Sequence, residues 1–348
     1  MSRISLNYTF IEKKSDYSLE FDQKISNLNI IDTQSVEEII VILQNLKVDF
    51  EKYYNYFKNK NWNFSCSAQI INSFNNGEQI ALNYLRVSIS KNDISFFKEL
   101  LINENIKNKL KEVISLLDEE IEITINNNKY ESSSYFLLSP SASAYYIHEI
   151  FGHTFEKDSP LYHKIVQMYQ GEKTILDKSI SIFDEANYTD KTLNFGEFDD
   201  DGKKNRREYI IRNGRLYGQI TKKRRGNFSN NSCFRMTNLI LDSKKNNVSL
   251  PSNYIYLDYA YQGYVNLLTG DFSLTATKGT VYKNNKKIDV IYNITIKGRV
   301  FDLFNNIYCV NNDSEYVVGT CIKQQQNLIV GMQSPTLFVA KQLQFNVN

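Results

Sequence analysis

The chain has 348 residues, 42% hydrophobic and 23% charged, which is enough for two domains with real cores and excludes wholesale disorder. A net charge of +2 gives no general pull on nucleic acid, and the four scattered cysteines (Cys66, Cys233, Cys309, Cys321) form no C-x-x-C pair, which argues against a disulfide framework. With no apolar signal core and no stretch of membrane-spanning length, the expectation is a cytoplasmic protein with reduced thiols and neither membrane nor nucleic-acid partner.

Residues 35–60 read as an amphipathic helix. Ser35 and Glu38 have capping-box spacing, and Ile39, Leu43, Leu46, Phe50, Tyr53 and Phe57 share one face. A second helix is expected after Asp93 as N-cap, with Leu100, Leu101, Ile106, Leu110, Val113 and Leu117 as its apolar stripe. Tyr135-Phe-Leu-Leu reads as a buried strand. Ser139 then caps a third helix, with Pro140 at its first position. From about residue 205 the pattern changes to strands. Asn213-Gly214 between two apolar runs predicts a type I′ hairpin, and Tyr254–Tyr261, Tyr264–Ala276, Thr280–Lys283 and Ile288–Ile296 read as further strands. The basic runs Lys203–Arg207 and Lys222–Arg225 are expected on a solvated surface.

Two of the three histidines lie in His148-Glu-Ile-Phe-Gly-His153. In a helical H-E-x-x-H the imidazoles stand one turn apart and face one metal, with the glutamate beside the activated water. Here the spacing is one residue longer. Five steps of a regular α-helix turn about 500°, which leaves the rings roughly 140° apart. A local i→i+5 widening would realign them, and Gly152 is where it costs least side-chain strain. Two structural histidines on a helix that also carries a glutamate would give the same six letters. Spacing alone leaves the third ligand open among His163, Glu156, Asp158 and the cysteines.

The flanking sequence narrows this. Tyr135-F-L-L-S-P-S-A-S-A-Y-Y-I-H-E-I-F-G-H-T-F-E-K-Asp158, Phe198-D-D-D-Gly202, Arg235-M-T-Asn238, Gly263-Y-V-N-L-L-T-G-D-Phe272, Val318-G-T-C-Ile322 and Gly331-M-Q-S-P-Thr336 occur in one order. Together, over roughly residues 130–340, they resemble the TldD/PmbA family of peptidases. The N-terminal third matches only in general character, and Asp201 stands where glutamate is common. The resemblance implies His148, His153 and Cys321 as metal ligands and Glu149 as general base. His163 has no counterpart in the motif and reads as a surface residue. Cys66, Cys233 and Cys309 remain packing residues. The resemblance is to the metal-binding kind of subunit, since TldE/PmbA-like chains lack the motif.

It further implies an α+β fold: an N-terminal α/β domain with long helices on a sheet (1–130) and a C-terminal domain rich in antiparallel strands (131–348). The expected activity is zinc-dependent hydrolysis of small or unfolded peptides, with iron an alternative occupant, in a homodimer or a heterodimer with a related subunit. The segment 263–276 is a candidate platform for a peptide in strand form, with Arg235, Asn238 and Gly263 as candidate substrate contacts. The competing reading is a non-catalytic, zinc-stabilised binding subunit.

Overall fold

The computed structural model describes residues 2–13, 16–26, 33–75, 78–102, 105–121, 133–169, 174–189, 191–226, 231–244 and 248–347. In chain order the strands are β1 (Ser2–Lys13), β2 (Asp16–Ser26), β3 (Asn63–Asn75), β4 (Glu78–Lys91), β5 (Ile94–Leu101), β6 (Ser133–Leu138), β7 (Ile180–Asp184), β8 (Glu208–Arg212), β9 (Arg215–Leu216), β10 (Lys223–Arg224), β11 (Cys233–Phe234) and β12 (Asn238–Ser243). They continue as β13 (Tyr254–Val265), β14 (Asp271–Lys283), β15 (Lys286–Arg299), β16 (Ile307–Cys309), β17 (Glu315–Lys323), β18 (Gln326–Ser334) and β19 (Leu337–Val347). The α-helices are α1 (Thr33–Asn45), α2 (Lys47–Asn59), α3 (Ile106–Glu119), α4 (Pro140–Ile147) and α5 (Pro160–Met168), and the fold is α+β.

The N-terminal sheet runs β2-β1-β3-β4-β5, antiparallel throughout. The apolar face expected over 35–60 is buried as one stripe, Ile39 to Phe57, against Trp62, Phe64 and Phe96 of the sheet side and Leu110 and Leu117 of α3. The helix itself is two, broken at Leu46, and it starts at Thr33, upstream of Ser35. The helix expected after Asp93 is a larger correction. Asn92, at φ +53°, turns the chain into β5, and the helix starts only at Ile106. Ile94 and Phe96 are buried and Ser95 is exposed, which is the period of a strand. Ile106, Leu110, Val113 and Leu117 of the expected stripe are the buried face of α3. The boundary expected at residue 130 lies outside the described residues.

Downstream there are two larger sheets. One, β15-β14-β13-β6-β19, is closed into a ring by β15–β19 pairing, with β16 added on β19. The other runs β17-β18-β12-β7-β8-β9, so β17 is an edge strand. The hairpin at Asn213-Gly214 forms with φ of +50° and +72°, although β9 is only two residues long. The segment 263–276 is not one strand: β13 continues to Val265, Gly270 closes a turn at φ +82°, and β14 begins at Asp271. The run Lys222–Arg225 is only in part on a solvated surface, with Lys223 and Arg225 half-buried. Lys222 is buried on Asp184 (2.9 Å) and Glu208 (3.3 Å), and Arg224 is buried with Nη1 on the Met236 carbonyl (2.6 Å). Both charges are spent inside the fold.

Phe96 joins the N-terminal core to the ring sheet, edge-on to Tyr259 (5.2 Å) and Tyr292 (6.3 Å). Phe96→Ala should therefore cost about 3–5 kcal/mol in denaturant unfolding, as a large cavity at a fully buried aromatic does.

Candidate metal centre

The segment that carries the histidines is built to be buried. Ser139 accepts a hydrogen bond from the Ala142 N–H (3.2 Å), and Pro140 occupies the first turn, where no donor is needed. Small residues then let α4 lie between the sheets, and every residue from Ser141 to Glu156 is buried. The α-helix ends at Ile147. His148–Gly152 forms a π-turn, in which the His153 N–H donates to the His148 carbonyl, and His153–Phe155 is 3₁₀. This is the widening that the six-residue spacing demands. The two imidazole centroids are 4.8 Å apart, at 81°. Gly152 has a steric reason as well: a Cβ there would meet Met236 Sδ at 2.0 Å.

Cys321 arrives from the edge strand β17. Its Sγ lies 3.0 Å from His153 Nε2, and the ligand atoms of His148, His153 and Cys321 all lie within 4.8 Å of one another. Glu149 is buried beside them. Gly263 makes room for it, since a Cβ at that position would meet Glu149 Cγ at 2.3 Å. All four open on one cavity of about 360 Å³, lined further by Tyr145, Tyr261, Gly263, Tyr264 and Ile322.

The donor set fits a divalent metal. Two imidazoles and a thiol suit zinc, and three protein donors are what a catalytic zinc site uses. Burial, with the charges of His153 and Arg235, holds His148 well below the ordinary imidazole range, the direction that favours the neutral ring a metal needs. Its Nδ1 is buried without a hydrogen-bond partner. Burial opposes charge on His153, but the charges of Cys321 and Glu156 outweigh it and raise that ring well above its usual range. Glu149 is raised by burial, partly offset by His153.

The other residues considered from sequence separate cleanly. Glu156 is fully buried and lies on the far nitrogen of His153, Oε2 to Nδ1, at 3.2 Å. Asp158 and His163 are exposed. Cys66, Cys233 and Cys309 are buried and free.

Of the candidate substrate contacts, Gly263 lines the cavity, whereas Arg235 and Asn238 are fully buried and do not line it. Arg235 Nη2 donates to the Cys321 carbonyl (2.8 Å) and so holds the strand that carries the thiol. Asn238 Nδ2 donates to the carbonyls of Glu185, Ala186 and Leu193, and its Oδ1 accepts from Tyr316 Oη at 2.6 Å. Their neighbour Thr237 bonds both oxygens of Asp184. The Arg235–Asn238 segment is thus a framework behind the cavity. Sequence reasoning missed Lys323, which lines the cavity; its signal is the two-residue step from Cys321, which on a strand gives one face.

The profile described as the PmbA/TldA metallopeptidase C-terminal domain matches residues 133–345. The chain belongs to the PmbA/TldD family. Among PmbA/TldD relatives, a metalloprotease of Archaeoglobus fulgidus is 24% identical over 215 residues, which cover 57% of this chain and 50% of that protein. A metalloprotease of Methanocaldococcus jannaschii is 23% identical over 212 residues, covering 56% and 47%. The match thus spans about half the length of these relatives. Two solved structures share the fold: TldE from Thermococcus kodakarensis (TM-score 0.57, 13% identity, 98% of this chain and 95% of that one) and a proposed modulator of a DNA gyrase from Thermotoga maritima (TM-score 0.59, 16% identity, 99% and 95%).

Asn238→Ala should lower stability by about 3 kcal/mol, because buried carbonyls and a hydroxyl lose their partner. Metal content of the folded protein should be unchanged, to be checked by elemental analysis alongside urea unfolding.

Proposed function

We propose that the chain is a metal-dependent peptidase, with zinc held by His148, His153 and Cys321 and proton transfer handled by Glu149. The observation that carries this reading is the convergence of the three donors within 4.8 Å, with the Glu149 carboxyl in the same cavity. Bound there, such an ion would supply Lewis-acid activation of water and of the scissile carbonyl. Glu149 takes a proton from the attacking water and returns it to the leaving nitrogen, so that C–N cleavage yields a carboxylate and an amine. Its upward shift makes the carboxylate a better base towards water, and the carboxylic acid so formed is still acidic enough to hand the proton to the leaving nitrogen. Arg235 and Glu156 touch neither substrate nor product; they hold Cys321 and His153.

An extended peptide fits the walls better than a folded one. β13 pairs with β6 only over Ile255–Leu257, so its later residues have no strand partner on that side among the described residues. β17 is the edge of the opposite sheet, and both strands line the cavity. Main-chain pairing to either would bind peptides with little sequence demand. The side chains at the mouth, Tyr261, Tyr264 and Ile322, are exposed and uncharged. The working form, by likeness to the family, is a pair with a second copy or a related subunit. Among the described residues no helix is long and apolar enough to cross a membrane.

Glu149→Gln should retain zinc and lose peptide cleavage by a factor of roughly 10²–10⁴, the usual contribution of a general base. Undiminished cleavage by a zinc-loaded variant would overturn the reading. Gly263→Ala should act through the same group. Its methyl displaces the Glu149 carboxyl, so kcat falls while zinc content stays at one per chain. A variant with wild-type kcat would show that Glu149 needs no clearance there.

A further inference from the structure

The ligands come from two places far apart in sequence: the widened helix and the edge strand of the second sheet. Something must hold these two in one register. The bond from the Arg235 guanidinium to the Cys321 carbonyl fixes the strand to β11's end, not to the helix. One side chain spans the gap directly. Lys323 Nζ lies 2.7 Å from Glu156 Oε2 and 2.7 Å from Asp158 Oδ1, both on the segment that leaves the histidine helix.

The same Glu156 Oε2 lies 3.2 Å from His153 Nδ1. Lys323 is two residues beyond Cys321 on β17, so the ammonium stem and the thiol leave the strand on one face. A continuous path therefore runs from Cys321 along its strand to Lys323, through Glu156, to the ring of His153, and back to Cys321 through the 3.0 Å contact at Nε2.

On the proposed metal-site reading, we propose that Lys323 is a positioning residue for the metal centre: its bridge to Glu156 and Asp158 locks the His153 ring and the Cys321 strand together. Two physical effects support this. An acceptor on Nδ1 fixes the tautomer that leaves Nε2 free to ligate. Glu156 is fully buried, and its Oε1 has no hydrogen-bond partner, so Lys323 is the cation that makes its charge tolerable in that place. Without the ammonium, His153 is the one group among the described residues still hydrogen-bonded to the carboxylate, with the Arg235 charge nearby but not bonded to it. The carboxylate would be free to swing away from the ring, which then loses its fixed acceptor. Asp158 is exposed and holds Lys323 from the outer side; it does not reach the histidine in this network.

The test is cobalt(II) titration of purified full-length protein, read by the thiolate-to-metal absorption band and by competition with a chelator. The wild type should bind one cobalt with that band, and Cys321→Ser should lose the band; a wild type without it would overturn the metal-site reading itself. Lys323→Met should weaken cobalt affinity by roughly 10–100-fold, as loss of an outer partner of a metal-bound histidine does, and should shift the visible spectrum. Because that variant leaves a buried carboxylate unpaired and can fail to fold, Lys323→Met/Glu156→Gln removes both charges together. It should fold, as judged by circular dichroism of the metal-free protein, and still bind cobalt weakly. Wild-type affinity and spectrum in either folded variant would overturn the positioning role. A simple loss of fold stability would lower the melting temperature without moving the spectrum, and that result also counts against it.

Discussion

The site depends on one hydrogen bond that is a residue too long. The His153 N–H reaches the His148 carbonyl five residues back, and that widened turn converts a spacing unfit for an α-helix into one face with two imidazoles. Such turns are costly, because the ladder around them is disrupted. Here the cost is met by tight burial: no residue from Ser141 to Glu156 is exposed, and Met236 occupies the volume that a side chain at position 152 would need. The helix therefore has little room to relax back to regular geometry. The chemistry of the site thus rests on packing contributed by a segment more than eighty residues away.

That distant segment has a consistent logic. Arg235, Met236, Thr237 and Asn238 each serve a different neighbour: the Cys321 carbonyl, Gly152, Asp184, and the crossing of three backbone carbonyls with Tyr316. Gly331 belongs to the same crossing, since a Cβ there would meet Tyr316 Oη and Asn238 Oδ1 at 2.0 and 2.1 Å. The buried cations Lys222 and Arg224 also turn inward, to Asp184 and the Met236 carbonyl. A run of four basic residues that reads as a surface patch is in fact half interior wiring. Charges this deep persist only with partners. The partners come from β7, β8 and the segment before β12, so the second sheet is held in register partly by ions.

What the sequence made legible follows from where the information is local. The Ser139-Pro140 start of α4, the Asn213-Gly214 turn and the need for a distorted helix at Gly152 all depend on a few adjacent residues, and each is where it was expected. Strand against helix was harder. Leu100 and Leu101 read as a backward extension of the α3 stripe, although the step from Leu101 to Ile106 is five, Asn92 turns the chain, and exposed Ser95 stands between buried Ile94 and Phe96. β1 to β3 do alternate, with Ile4, Leu6, Tyr8 and Phe10 in β1 and Phe64, Cys66, Ala68 and Ile70 in β3, so their period of two was legible although these strands were not assigned. Cys321 could not be found from spacing at all. A thiol 168 residues from its nearest ligand partner is defined by the pairing of β17 with β18, a long-range fact that only the ordered family motifs carried. Arg235 and Asn238 failed as substrate contacts for a related reason: polar residues in a shared motif read as reactive, but burial made them structural.

The N-terminal sheet adds a final constraint on the same strand. Lys98 Nζ of β5 bonds Glu315 Oε1 at the start of β17 (2.8 Å), Tyr84 Oη lies 3.4 Å from Thr320 Oγ1, and Tyr84 shares a buried cluster with Val318 and Ile329. Among the described residues β17 has a strand partner on one edge only, and an edge strand carrying a candidate ligand would otherwise be the least anchored part of the site. The N-terminal sheet ties it down through these side chains, without main-chain pairing among the described residues, while Arg235 and Lys323 hold the strand from within. The cysteine strand is thus fixed at three places by three different parts of the chain. The N-terminal region, which lies outside the matched family domain, therefore bears on the candidate metal centre through the position of Cys321.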